Sequence, residues 1–314
     1  MNRQTIIGGN GTIGKVVATQ LAKTNVKVRI VQPNPKKVSG NEEVVSADVM
    51  ELDQLIEATE GSSIIYLMLG LPYSGKAWEQ GFPLAVKNTI EAARRTNAKV
   101  VYFDNVYMYG KATEAMTEET PVDPISRKGR ARAKAAQVLM EAVERGDVEA
   151  MITRSADFYG PYQFDSIKTM AHRLRAGKKA QVLLADNKIH SLTYVSDAGK
   201  AVAMLANQPS AYNQVWHMPT DPAKRTAKDI VTVIAELLEV EARYRVVNKS
   251  MLAMAGWFNP LIRELGEMAY QYEQDYFFDS LKITSTYGVS ATPFRQGLTE
   301  YLTQLGFMPP QAIV

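Results

Sequence analysis

Three glycines near the N-terminus are spaced three residues apart: Gly8, Gly11 and Gly14. Residues 5–7 before them are β-prone, and residues 14–23 carry apolar side chains at helical spacing. A glycine turn between a strand and a helix lets the backbone approach a pyrophosphate, whose oxygens the amides of the helix N-terminus then bind. The pattern predicts a dinucleotide-binding turn made of Gly8, Asn10, Gly11, Thr12, Ile13 and Gly14.

The residue that distinguishes the two nicotinamide dinucleotides lies about twenty residues beyond the glycines, at the end of the second strand. An acidic residue there binds the ribose hydroxyls of NAD, and a nearby arginine accommodates the 2′-phosphate of NADP. This sequence has Gln32 at that position, followed by Asn34, Lys36 and Lys37. Because no carboxylate is present and two lysines follow, we predict NADP as the cofactor, with NAD as the alternative. Gln32, Asn34 and Lys36 would contact it.

The composition excludes several classes of function. The chain has 314 residues, of which 46% are hydrophobic and 22% charged, as in ordinary globular proteins. The net charge of +3 is too small to predict a nucleic acid or a membrane as partner. The absence of cysteine excludes disulfides and Cys-based zinc sites and fits a cytoplasmic protein. The three histidines are not at metal-ligand spacing, so we expect no metal site.

Strand-like and helix-like segments alternate in the first half of the chain. Strand patterns occur at residues 26–31, 63–69, 99–103 and 149–153, and helical patterns at residues 51–59, 84–96 and 128–145. This alternation predicts an α/β fold: a Rossmann-type doubly wound parallel sheet with a smaller C-terminal substrate domain. Leu69 ends a predicted strand and Gly70 follows it, and both would reach the cofactor, because ligands bind at the carboxyl ends of such strands.

The change of pattern after residue 158 predicts the domain organisation. We place the NAD(P)-binding Rossmann domain at residues 1–158, with residues 190–215 returning to it. The smaller substrate-binding domain would then comprise residues 159–314. Within it, Thr226 followed by Asp229 predicts a capping box at the start of a helix.

Motifs spread over most of the chain point to one family. They are the spacing of Gly8, Gly11 and Gly14, and the segments Ala47-Asp48-Val49, Asn88, Tyr109-Gly110, Arg154, Phe158-Tyr159-Gly160-Pro161 and Tyr194-Val195-Ser196-Asp197. Together they resemble the extended short-chain dehydrogenase/reductases, the NAD-dependent epimerase/dehydratase family. The resemblance implies that Asp48, with Val49 beside it, binds the adenine amino group of the cofactor.

The catalytic motif that this resemblance implies is altered. The family uses a Ser or Thr together with a Tyr-x-x-x-Lys pair, whose spacing places both side chains on one helix face. The lysine lowers the tyrosine pKa, and the tyrosine transfers the proton. Here Lys134 occupies the lysine position, Arg130 replaces the tyrosine and Asn105 replaces the hydroxyl residue. We expect Lys134 to hold the nicotinamide ribose and Asn105 to polarise the substrate oxygen.

A tyrosine elsewhere would then carry the proton. Tyr107 and Tyr109 are the main candidates, and Tyr73 and Tyr159 are further ones. Each follows a predicted strand, so that its side chain would lie where ligands bind in such sheets.

Three functions are compatible with these residues. The first is an NAD(P)-dependent oxidoreductase or epimerase-like enzyme with a non-standard active site, acting on a small carbonyl or hydroxyl compound such as a nucleotide sugar. The second is an NADP-binding redox sensor or regulator without turnover, and the third is a scaffold that keeps only the fold. The family resemblance also implies a homodimer formed through the helices predicted at residues 84–96 and 128–145.

Overall fold

The computed structural model describes residues 3–161 and 166–309. The strands are β1 (Arg3–Ile7), β2 (Lys27–Gln32), β3 (Glu43–Ser46), β4 (Ile64–Leu67), β5 (Lys99–Asp104), β6 (Ala150–Arg154), β7 (Asp157–Tyr159), β8 (Ala180–Leu183), β9 (Leu192–Tyr194), β10 (Gln214–His217) and β11 (Tyr244–Val247). The helices are α1 (Thr12–Leu21), α2 (Leu52–Thr59), α3 (Gly75–Thr96), α4 (Arg127–Glu144), α5 (Ser166–Arg175), α6 (Val195–Leu205), α7 (Ala227–Leu237), α8 (Lys249–Phe258), α9 (Pro260–Gly266), α10 (Leu281–Tyr287) and α11 (Phe294–Gln304).

The main sheet has seven strands in the order β10-β6-β5-β4-β1-β2-β3. Every neighbouring pair in it is parallel. The chain therefore runs outward from β1 in both directions, and the predicted α/β doubly wound sheet is confirmed. Because the strands are parallel, their carboxyl ends share one edge of the sheet, where ligands bind in folds of this kind. Continuous burial of β4 fits a strand that is covered on both faces.

The chain divides into two compact units. The first comprises Met1–Gly110, Pro121–Ser155 and Ser196–Met218, and the second the remaining segments. Residues 196–218 therefore group with the first unit, whereas the segment predicted to return to the first domain was residues 190–215. Lys111–Thr120 belongs to the second unit, although it lies within the range predicted for the first domain. The reason is a long-range pairing, in which the Met116 amide donates to the Phe277 carbonyl at 2.8 Å.

The core of the first unit lies where helices pack on the sheet. Helix α3 begins at Gly75, nine residues before the predicted start at Leu84, and it continues through Pro83. Its early turns form because Trp78 and Phe82 are both buried in the core cluster. Their burial outweighs the hydrogen bond that proline removes.

The second unit contains two small parallel sheets, which pair β7 with β9 and β8 with β11. Its apolar cluster is formed by side chains of α5, α7 and α11 together with side chains of β7, β8 and β9. Helix α7 begins with the predicted capping box: the Thr226 hydroxyl accepts from the Asp229 amide, and the Asp229 carboxylate accepts from the Thr226 amide. Across residues 3–161 and 166–309, none of the helices is both long and apolar enough to span a membrane.

Candidate active site

The glycine turn lies between the carboxyl end of β1 and the N-terminus of α1. Gly8 has a φ of +79°, and a Cβ there would lie 2.6 Å from the Met68 carbonyl oxygen. A Cβ on Gly14 would lie 2.5 Å from the Gly8 carbonyl oxygen. Gly11 is the N-cap of α1 and has no side chain to cap the first turn. Gly8 and Gly14 thus pack closely against neighbouring backbone atoms. Because the N-cap residue Gly11 has no side chain, it does not cover the backbone amides of the first turn of α1.

The end of β2 is joined to this turn by side-chain amides. The Gln32 Oε1 accepts from the Asn10 amide at 3.1 Å, and its Nε2 donates to the Asn34 carbonyl at 3.1 Å. The Asn10 side chain in turn bonds both the amide and the carbonyl of Lys36, each at 2.7 Å. The structure therefore brings these four predicted residues together, with the neutral Gln32 at the end of β2.

The acidic segment after β3 is held by a buried asparagine. The Nδ2 of Asn88, on α3, donates to the carbonyls of Val49 and Met50 at 2.9 and 3.0 Å. The Asp48 carboxylate accepts from the Met50 amide at 3.0 Å. This network fixes the backbone of the predicted adenine-binding segment. Leu69 follows the carboxyl end of β4, where it is half-buried, and Gly70 beyond it is exposed.

Helix α4 does not bring Lys134 to the site. The Lys134 side chain is exposed, with its Nζ 3.4 Å from the Gln137 Oε1, and Arg130 is exposed as well. The buried cations of this helix are Lys128, which is fully buried, and Arg132, which is 8% exposed. A shift of two residues rotates a side chain by about 200° around a helix. The predicted pair therefore lies on the face opposite to the one that packs on the sheet.

A pattern in the sequence could have identified the correct face. The buried residues of α4 include Lys128, Arg132, Ala135, Leu139 and Ala142, at the spacing of a single helix stripe. The apolar members of this stripe are visible in the sequence, and extending it toward the N-terminus reaches the two cations. The Lys128-x-x-x-Arg132 pair thus lies on the inward-facing stripe of α4, with the same four-residue spacing as the Tyr-x-x-x-Lys pair that the resemblance implies.

A buried polar network lies at the carboxyl ends of β5 and β6. The Arg132 Nη1 donates to the Tyr102 hydroxyl at 3.0 Å and to the Asp104 Oδ1 at 3.3 Å. The Nε of Arg154 lies 3.5 Å from the other oxygen of the same carboxylate. Burial raises the pKa of Asp104, and the two guanidinium groups oppose that rise. The arrangement holds α4 against the end of β5 through Arg132.

Tyr109, a predicted proton carrier, belongs to this network. Its hydroxyl accepts from the Arg154 Nη1 at 2.9 Å and lies 2.8 Å from the His217 Nε2. The tyrosine is 2% exposed. Its hydroxyl therefore links the ends of three strands: Tyr109 follows β5, Arg154 ends β6 and His217 ends β10.

We expect Tyr109→Phe to lower the free energy of unfolding by about 1–3 kcal/mol, because it leaves buried polar partners unsatisfied. Urea denaturation measures this change. Tyr244→Phe is the control, since it also removes one hydroxyl, but from a half-buried tyrosine whose hydrogen bond to Asp186 is only partly buried. If both variants lose the same free energy of unfolding, the buried network does not stabilise the protein more than a single partly buried hydrogen bond does.

Asn105 and Tyr107 lie in the segment after β5. The Asn105 Oδ1 accepts from the Tyr107 amide at 3.0 Å, which fixes the orientation of the side-chain amide. Within the described parts of the chain, the Asn105 Nδ2 has no hydrogen-bond acceptor. The Tyr107 ring stacks on Trp78 with centroids 5.9 Å apart. Asn105 thus keeps a donor that is available to a carbonyl oxygen.

The other two tyrosines proposed from the sequence have different surroundings. Tyr73 contacts the Trp78 ring edge-on at 5.6 Å, and the Lys128 Nζ lies 4.7 Å from its ring centroid. Tyr159 lies in the apolar cluster of the second unit, stacked on Tyr194 at 5.0 Å. The expectation that Tyr159 carries the proton is therefore not supported, because its ring is a core residue.

His190 makes a local contact in the second unit. Its Nε2 lies 3.0 Å from the Asp157 Oδ2. The imidazole ring stacks on Tyr272 and on Tyr276, with centroids 4.7 Å apart in each case. Within the described residues, no group of three or more His, Asp or Glu side chains is arranged to hold a metal ion.

Comparison with known proteins places this geometry in context. A curated relative, dTDP-6-deoxy-L-talose 4-dehydrogenase (NAD(P)(+)) of Kitasatospora kifunensis, is 24% identical over 252 residues, covering 74% of this chain and 78% of the relative. The solved dTDP-glucose 4,6-dehydratase of Bacillus anthracis, in complex with NAD, superposes with a TM-score of 0.81 at 16% identity, covering 98% of this chain and 97% of that one. The UDP-glucose 4-epimerase of Thermotoga maritima, with UDP-glucose, gives a TM-score of 0.79 at 16% identity, covering 96% and 99%.

These structural likenesses show the fold. The family is shown by the sequence itself, because residues 5–217 match the NAD dependent epimerase/dehydratase family over more than half of the chain. The match includes the glycine turn, the acidic segment after β3 and the strands that carry the buried network. The chain belongs to the NAD dependent epimerase/dehydratase family.

Proposed function

We propose that this protein is a nicotinamide-dinucleotide-dependent oxidoreductase that acts on a small carbonyl or hydroxyl compound of the nucleotide-sugar class. The observation that carries the proposal is the glycine turn at the carboxyl end of β1. Its backbone conformation and the absence of Cβ atoms suit the close approach of a pyrophosphate. A helix N-terminus adds amide donors and a favourable dipole.

The chain offers a set of residues that fits such a cofactor. The pyrophosphate would be held by the residues of the glycine turn, which are Gly8, Asn10, Gly11, Thr12, Ile13 and Gly14. The adenosine ribose would be bound by Gln32, Asn34 and Lys36. The adenine and neighbouring groups would be bound by Asp48, Val49, Leu69 and Gly70. When bound, the nicotinamide ring supplies or accepts a hydride at the carboxyl edge of the sheet. The Nδ2 of Asn105 would polarise the substrate oxygen, because it is the free donor after β5.

The choice between NAD and NADP rests on two opposing arguments. The dehydratase of Bacillus anthracis was solved with NAD, which favours NAD. The neutral Gln32 and the exposed Lys36 and Lys37 would accommodate a 2′-phosphate, so that a preference for NADP remains a prediction. Localisation in the cytoplasm and a homodimer through α3 and α4 are also predictions.

The substrate class follows from the relatives. The talose dehydrogenase of Kitasatospora kifunensis acts, by its name, on a dTDP-deoxysugar at C4. A ketone or secondary alcohol on a sugar ring offers the oxygen that Asn105 would polarise. Because small insertions and side-chain changes alter substrate choice on one fold, the class is proposed here and not an individual sugar.

An assay of dinucleotide consumption tests the proposal. The purified protein is mixed with NADH or NADPH and with a dTDP-4-keto-6-deoxyhexose, and absorbance at the nicotinamide band is followed while mass spectrometry detects the reduced sugar. We expect oxidation of the dinucleotide together with one equivalent of alcohol product. The converse assay mixes the protein with the oxidised dinucleotides and with dTDP-glucose or UDP-glucose. If the protein binds a dinucleotide but forms no product in either assay, the result would contradict an oxidoreductase and favour a dinucleotide sensor.

A further inference from the structure

We propose that Lys128 is the proton donor of this site, in place of the tyrosine that the family uses. The inference rests on the proposed function, because it assigns the acid for reduction of a carbonyl. The observation that supports this assignment is the inward-facing stripe of α4, on which Lys128 and Arg132 are buried one helical turn apart. Spacing of four residues places two side chains on the same helix face.

The position of Lys128 along α4 is fixed by its neighbour. Arg132 is bonded to Asp104, the last residue of β5. Helix α4 leads to the beginning of β6, which is parallel to β5, so its N-terminal turn lies at the carboxyl edge of the sheet. Lys128 is therefore about 6 Å further along the helix axis than Arg132, in the direction of that edge.

The first turn of α4 is also packed on the segment that contains Asn105 and Tyr107. A Cβ on Gly129 would lie 2.5 Å from the Tyr107 carbonyl oxygen, so only glycine permits this approach. On the other side, the Lys128 Nζ lies over the Tyr73 ring, in the segment after β4. The ammonium group is thus held near the segments that follow β4 and β5.

The chemistry of the other polar groups supports the assignment. A guanidinium does not release its proton in proteins, so Arg132 cannot act as the acid. Arg132 is in addition bonded to Asp104 and Tyr102. The Tyr109 hydroxyl is bonded within the buried network. The Lys128 ammonium has three N–H donors and, unlike a guanidinium, can transfer one proton.

The proposed step is a carbonyl reduction with a reduced nicotinamide dinucleotide as the electron donor. The carbonyl carbon gains a hydride from the dinucleotide, which becomes oxidised, and the C=O π bond breaks. The oxygen takes a proton from the Lys128 Nζ to give the alcohol. Lysine would be left as the neutral amine and would regain a proton from solvent, so that one carbonyl, one reduced dinucleotide and one proton would give one alcohol and one oxidised dinucleotide.

Substitutions at position 128 test this role. We expect Lys128→Met to lower kcat for ketone reduction at least about 100-fold, the usual contribution of general acid catalysis. Dinucleotide affinity, measured by calorimetry, should change less than about threefold, because methionine keeps the length and buried packing of the side chain. Lys128→Arg keeps the cation but not a transferable proton, and we expect the same loss. Lys128→Tyr places a phenol at the same position and should recover part of the lost activity.

Matched controls are available on the same helix. Arg130→Met and Lys134→Met remove cations from the exposed face, and we expect kcat within about twofold of the unchanged protein. If the unchanged protein reduces the ketone and Lys128→Met or Lys128→Arg does so at an equal rate, the assignment of Lys128 is wrong. If the unchanged protein binds a dinucleotide but reduces none of the substrates, the proposed function itself fails.

Discussion

Replacement of Gly14 by alanine is expected to weaken dinucleotide binding at least about 100-fold and to destabilise the first unit. A Cβ at this position would lie 2.5 Å from the Gly8 carbonyl oxygen and 2.7 Å from the Gly9 Cα. Both are backbone atoms, which cannot rotate away as a side chain does, so α1 must move off the turn. We expect the dissociation constant to rise at least about 100-fold, which corresponds to about 2.7 kcal/mol. Overpacking of this kind costs about 1–3 kcal/mol of stability.

Calorimetric titration with NADH and NADPH measures the first effect, and urea denaturation measures the second. Gly266→Ala is the matched control, because the added methyl group there would meet no atom within 4 Å. It should leave both quantities unchanged or raise stability slightly, since alanine is the better helix former. Full affinity in Gly14→Ala would show that the ligand does not bind at the turn.

Replacement of Asp104 by asparagine is expected to have the largest effect on stability. The carboxylate is fully buried and lies 3.3 Å from the Arg132 Nη1 and 3.5 Å from the Arg154 Nε. Asparagine keeps the shape but removes the negative charge, leaving two buried guanidinium groups without compensation. Removing one partner of a buried ion pair costs about 3–5 kcal/mol. The free energy of unfolding in urea should fall by this amount.

Asp123→Asn provides the comparison, because Asp123 is exposed in the same unit. Its effect should stay within about 0.5 kcal/mol. Asp104→Asn should also lower ketone reduction, because Arg132 holds α4 against the end of β5 through this carboxylate. A protein with unchanged stability would mean that the two arginines are compensated by other groups, and would contradict the proposed network.

The glycine turn and the sheet could be predicted from the sequence because their signals are local. Gly8, Gly11 and Gly14 form a short pattern between a strand and a helix, and the strands predicted in the first half are short β-prone segments separated by helical patterns. Such patterns depend on neighbouring residues alone. The same reason explains why the capping box at Thr226 was predicted correctly.

The inner face of α4 could not be predicted by matching a lysine to a motif. Two pairs of basic residues at the right spacing, Arg130 with Lys134 and Lys128 with Arg132, differ by two positions, and motif spacing does not distinguish them. Burial distinguishes them, because the helix turns its apolar stripe toward the sheet. The buried network of Asp104 was also missed, since its members are far apart in the sequence.

Calorimetric titration of the purified protein with NAD, NADH, NADP and NADPH tests the central claim most directly. The glycine turn, the end of β2 and the acidic segment together predict saturable binding of one dinucleotide per chain. Tighter binding of the phosphorylated pair would support the role of Gln32, Lys36 and Lys37, and tighter binding of the other pair would assign NAD. Absence of binding by all four would contradict the proposed function and the assignment of Lys128 alike.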